Sequence, residues 1–138
     1  MAIISDLTIQ LELLPRKYNG KEDDPFIYSF LGISRNEIPV FNLLASLLLK
    51  SEYEKIVNNL SLLIENKPQS FYFESIEPFI KLHVHKQTKG YKWVISIVDY
   101  NDKEEFKVDI LCDEKDLHQF IDDLSKELSN VQPSRYLP

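Results

Sequence analysis

The sequence predicts an α+β fold: an antiparallel sheet of about seven strands with two amphipathic helices packed on it, in the order three strands, helix, four strands, helix. Two observations lead there. Several short runs alternate apolar and polar side chains with period two, bounded by Gly, Pro, Asn or Asp, as half-buried strands do. Two longer runs place apolar residues at the i, i+3, i+4, i+7 spacing of a helix that buries one face.

Leu7 to Leu14 alternates cleanly and reads as the first strand, ended by Pro15 and the polar stretch Arg16 to Asp24. Phe26 to Ile33 is aromatic and β-branched and reads as the second. A turn at Ser34 to Asn36 leads into Ile38 to Leu49, where Pro39 predicts an edge or entry position. Both phases of this third strand carry leucines, which predicts cover on both faces. Ser51 and Glu54 have the spacing of a capping box, and Tyr53, Ile56, Val57, Leu60, Leu63 and Ile64 form the stripe of the first helix. Asn66 and Pro68 should end it.

A strand-rich block follows. Phe71 to Ile76, Phe79 to Lys86, Tyr91 to Tyr100 and Glu104 to Leu111 form a meander, bent at Glu77-Pro78 and turned at Thr88-Lys-Gly90 and at Asn101 to Lys103. Gly90 can take the positive φ that a tight hairpin needs. Asp113 can cap a second helix whose stripe is Leu117, Phe120, Ile121, Leu124 and Leu128. Residues 1–131 are expected to form a single α+β domain, with 132–138 leaving it as a short extended tail.

The 138 residues suit one domain, and a chain of this length buries about two-thirds of its unfolded surface without a metal or disulfide staple. A single cysteine, Cys112, excludes an internal disulfide and fits a reducing compartment. The start Met-Ala-Ile-Ile-Ser-Asp has neither the basic residues nor the apolar stretch of a signal peptide, and no apolar run approaches the roughly 20 residues of a membrane span. These features predict a cytoplasmic protein. A net charge of −6 disfavours nucleic acid as a general partner and fits solubility or steering toward a basic one.

Chemistry-bearing patterns are few. Three glycines, Gly20, Gly32 and Gly90, exclude a glycine-rich phosphate loop, and neither nucleophile-elbow nor zinc-ligand spacings occur. His83 and His85 stand at i, i+2 on a strand and so point the same way, but no third or fourth ligand can be nominated. Cys112 precedes the second helix, whose N-terminus could acidify a thiol, yet a buried inert cysteine explains it equally simply. The carboxylate pairs Asp23-Asp24, Glu104-Glu105 and Asp122-Asp123 are adjacent in sequence and point apart. No catalytic residue, metal site or cofactor is therefore expected. Between Glu77 and Asp99 there is no acid, while Lys81, Lys86, Lys89 and Lys92 fall there with both histidines. This hairpin is either a contact surface or a lysine-defended edge. Lys81, His83, His85, Lys89, Tyr91 and Trp93 are the candidate binding residues, the last two being of types enriched at interface hot spots but also ordinary strand residues that a core would take.

The chain resembles the WapI-type bacterial immunity proteins. The resemblance rests on the Leu7 to Leu14 strand, Leu47-Leu-Leu-Lys-Ser-Glu-Tyr-Glu54 at the first helix, Phe73-Glu-Ser-Ile-Glu-Pro78 before the meander, and the acid-capped helix Asp113 to Asn130. It implies a small cytoplasmic protein that binds and neutralises a cognate toxin, a task that needs no catalytic residues. Two other readings remain open on the residues alone: a small enzyme or metal-binding protein built on His83 and His85, and an oligomerising module, monomer or homodimer, that pairs strands through an open edge.

Overall fold

The computed structural model describes residues 2–65, 68–75, 80–99 and 104–133. In chain order the elements are β1 (Ala2–Ser5), β2 (Ile9–Tyr18), β3 (Phe26–Arg35), β4 (Ile38–Leu49), α1 (Lys50–Ile64), β5 (Ser70–Glu74), β6 (Ile80–Gln87), β7 (Gly90–Asp99), β8 (Glu104–Cys112), α2 (Glu114–Asn130) and β9 (Gln132–Pro133). The α+β class holds, but the strands divide between two sheets instead of one. β1-β2-β3-β4 form an antiparallel sheet, to which the two-residue β9 adds a parallel pairing with β2, and β5-β6-β7-β8 form a second antiparallel sheet. The physical reason is α1: its 15 residues carry the chain away from β4, so β5 starts a new ladder.

Each sheet turns one face inward. Ile4, Leu11, Leu13, Ile27, Leu31 and Ile33 from the first sheet and Phe73, Leu82, Val84, Trp93, Ile95 and Ile110 from the second belong to one buried cluster. Tyr53, Ile56, Leu60 and Leu63 of α1 and Leu117, Phe120, Ile121 and Leu124 of α2 join it, as their spacing predicts. Helix α2 packs on β1, β2, α1 and β7, where Phe120 meets the Trp93 ring edge-on at 5.1 Å. Phe41 of β4 stacks on Phe106 of β8 at 5.5 Å, and Asp6 accepts the Leu111 N–H, so the sheets are also joined at their β8 side.

Several local details depart from expectation. Leu7 is no strand residue; it stands in solvent in the β1–β2 turn, which Asp6 organises by accepting the Thr8 and Ile9 N–H groups, both at 2.8 Å. Pro15 does not end β2. It sits at a bulge, beyond the end of β1's ladder and before β9's, where the strand can dispense with an N–H. The β3–β4 turn is Asn36-Glu37, both at positive φ (51° and 68°), the two-residue hairpin geometry.

Helix α1 starts one residue before Ser51, and the cap differs from the expected box. Glu52 reaches back to accept the Leu49 N–H at 2.9 Å. Ser51 gives its N–H and its hydroxyl to Asp24, at 2.9 and 2.6 Å. Asp24, from the loop before β3, thus supplies the anion that a helix N-terminus favours. The helix ends at Ile64 with Glu65 as its cap; Asn66 lies outside the described residues. So do the expected turns at Glu77-Pro78 and Asn101 to Lys103. Asp113 caps α2 as predicted, accepting the Asp116 N–H at 2.8 Å. Gly90 has φ 117°, and a Cβ there would collide with the Cys112 carbonyl oxygen. The tail does not leave at once: Gln132 and Pro133 pair with Lys17 and Tyr18.

Candidate binding surfaces

The outer face of the second sheet holds three of the six residues singled out from the sequence, Lys81, His83 and His85. Alternation along β6 buries Ile80, Leu82 and Val84 and turns Lys81, His83 and His85 outward. Strand register sets them in rows: Glu74–Lys81–Ser96–Lys107, Tyr72–His83–Val94–Asp109 and Ser70–His85–Lys92–Leu111. Ser96 hydrogen-bonds Glu105, and Lys92 stands 3.8 Å from Asp109. Lys89 is exposed in the hairpin turn.

The two imidazoles do converge, with ring centroids 3.7 Å apart, and Tyr72 meets His83 edge-on at 5.5 Å. Desolvation, then the neighbouring charge on His85, lowers the His83 pKa. A cation would meet a poor reception: Lys92 is opposite His85 in register, and Lys81 is two residues from His83 on the same face. Among the described residues no group of three or more His, Cys, Asp or Glu could hold a metal ion.

Tyr91 and Trp93 do not share that face. They point inward, 3% and 1% exposed, and belong to the core. Tyr91 gives its hydroxyl proton to Glu114 at 3.4 Å, tying β7 to the start of α2. Cys112 is also buried, and burial, with the Asp116 and Asp113 charges adding to it, pushes its thiol up to about 12. The α2 N-terminus therefore does not activate it. His118 is exposed on α2.

A second surface escaped the sequence reading. Expected cover on both faces of β4 is present only at its C-terminal end. Leu47 and Leu48 are both buried because a bulge opposite Ile27/Tyr28 makes Leu47 the extra residue and turns neighbours to one side. Elsewhere Ile38 is 65% exposed, Val40 42% and Leu44 49%. Leu44 continues a row with Phe30 and Leu14, both half-buried on the outer face of the first sheet. The Phe30 ring covers Gly32, occupying the space a Cβ would need. Lys17 lies 5.7 Å above the Tyr28 ring at the border of this patch. Pro39 does mark an edge strand: among the described residues β4 pairs with β3 alone. The signal that could have found this surface was the lack of any charge from Ile38 to Leu49.

A cleft of about 590 Å³ lies between α1 and the end of α2, with Tyr18, Ile27, Val57 and Leu128 on its walls and Lys50, Glu54 and Asn58 among its polar lining.

This protein thus offers sheet faces and an edge to other molecules. Residues 3–132 match the family model of the Immunity protein WapI-like family, and the chain belongs to that family. It is 34% identical, over 143 aligned positions covering all of both chains, to the immunity protein WapI of Bacillus subtilis (strain 168). Among solved structures it is similar to WHY3 from Arabidopsis thaliana, with a TM-score of 0.54 over 94% of this chain and 86% of that one, at 13% identity. The plant transcriptional regulator PBF-2 aligns at TM-score 0.49 and 11% identity, over 91% of this chain and 86% of that one. The WHY3 likeness, at that identity, concerns the fold alone. No described helix is long and apolar enough to cross a membrane.

Proposed function

We propose that this protein is a non-enzymatic, cytoplasmic immunity protein that neutralises a cognate toxin polypeptide by forming a one-to-one complex with it. The observation that carries this reading is family membership along nearly the whole chain, residues 3–132, together with full-length likeness to an immunity protein. The physical chemistry agrees with it. The thiol is buried and held protonated, and the histidine pair is flanked by lysines, so the groups able to do chemistry are placed where they pack or are solvated. Large outward sheet faces are what a binder needs.

In this reading Lys81, His83 and His85, with Lys89 at the hairpin tip, contact acidic groups of the partner, and Trp93 and Tyr91 support that strand pair from behind. Co-expression with the cognate toxin domain tests the proposal. Cells should grow only when this protein is present, and the two chains should co-purify. Growth arrest despite full expression, with no complex recovered, contradicts it.

A further inference from the structure

We infer that the outer edge of β4 is a strand-pairing site for an extended, basic-flanked segment of the toxin; this rests on the immunity reading above. Sheet edges present unpaired N–H and C=O groups and invite uncontrolled pairing, so proteins blunt them by shortness, charge or bulges. Among the described residues, three of the four edges follow that rule. β1 has four residues, β5 has five and carries Glu74, and β8 turns Glu105, Lys107 and Asp109 outward.

β4 breaks it. The strand is 12 residues long and carries no charge. Its two bulges, at Val40 and Leu47, lie near the ends and bracket a regular stretch, Phe41–Ser46, in unbroken register with Ile33–Tyr28. That stretch offers about 20 Å of pairing edge, long enough for a six-residue segment. Pairing of this type draws affinity from main-chain hydrogen bonds and selectivity from alternate side chains. The incoming residues on the outer face would lie beside Leu44 and the Phe30–Leu14 row, which selects apolar groups at alternate positions.

Charge favours the toxin over a second copy. Each copy carries −6, so two copies repel, and Glu22 and Asp23 are exposed, beside Lys21, in the loop whose Pro25 carbonyl accepts the Lys50 N–H at the C-terminal end of β4. Basic residues beyond the end of the paired segment meet those carboxylates.

The experiment uses the whole chain and a catalytically inactivated cognate toxin domain, followed by hydrogen exchange and binding. Exchange of the outward-pointing amides, every second residue within Phe41–Ser46, should slow at least about tenfold on adding toxin, as newly paired amides do. Leu44→Lys and Asn42→Lys, both at exposed positions, should weaken binding about tenfold or more while melting like wild type. Should a variant fail to fold, the wild-type exchange pattern decides alone. Protection confined to other segments, with both variants binding normally, overturns the inference and leaves the immunity reading standing. Doubling of the free protein's mass in light scattering, abolished by Leu44→Lys, assigns the edge to a second copy and also overturns it. No binding and no protection of cells by wild type defeats the immunity reading itself.

Discussion

The hydroxyl chain that joins α1 to the first sheet gives a quantitative test of how the core is specified. Tyr53 gives its phenolic proton to Ser29 Oγ at 2.6 Å, and Ser29 gives its own to the Ile27 carbonyl at 2.9 Å. Both side chains are fully buried, and burial raises the Tyr53 pKa, with the Ser29 bond opposing and Glu127 adding. Tyr53→Phe removes one hydrogen bond yet leaves the serine proton placed, so it should cost about 1 kcal/mol. Ser29→Ala strands a phenol O–H in the core and should cost about 2 kcal/mol, the scale of an unsatisfied buried donor. With both polar partners gone nothing is stranded, so the double variant should lose only about 1 kcal/mol, making it more stable than Ser29→Ala alone. Urea unfolding at pH 7, with unchanged m-values, measures all four corners of this cycle. Additive losses, within about 0.5 kcal/mol, would refute the coupling.

Other expectations are as direct. Glu37 holds φ at 68°, a conformation natural to glycine, so Glu37→Gly should stabilise the protein by about 0.5–1 kcal/mol in the same assay; a loss would show the turn is not strained. The folded-state pKa of His83 lies below its unfolded value, so the unfolded chain binds the extra proton first. Stability should be full above the unfolded pKa of about 6.5 and fall as the pH drops through the folded one. His83→Asn should flatten that part of the melting-temperature profile, and an equally steep profile would remove His83 as its cause. Cys112, buried and raised to about 12, should resist a thiol reagent at pH 7.5 in the native state and react on unfolding. Fast native labelling would contradict its placement.

The elements whose signal is local were legible. Both helices were, because Tyr53-Ile56-Leu60-Leu63 and Leu117-Phe120-Ile121-Leu124 each repeat at helical spacing. The hairpin at Gly90 was, because its steric demand is met by one residue type. What was missed depends on partners distant in sequence. β1 has only four residues, too few for a pattern, and exists because Ala2 and Ile4 are buried where α2 packs on it. The division into two sheets follows from which strands α1 separates, and alternation within a strand carries no record of its neighbours. The capping carboxylate for Ser51 comes from Asp24, 27 residues earlier.

The candidate surfaces divide in the same way. Lys81, His83 and His85 share a face because they share a phase, and the strand pattern alone placed them. For Trp93 residue type suggested the surface and strand character the core; its parity with Tyr91, Ile95 and Ile97 decides for the core. Leucines on both phases of β4 read as cover on both sides; bulges at Val40 and Leu47 break the alternation that reading assumes.

Titrating the active toxin with this protein tests the central claim most directly. A binder that neutralises by occupying its target should lower toxin activity in a straight line that reaches zero at one equivalent. Complete inactivation by a few hundredths of an equivalent would mean turnover, and undiminished activity at excess would mean the toxin is not its target; either result contradicts the account.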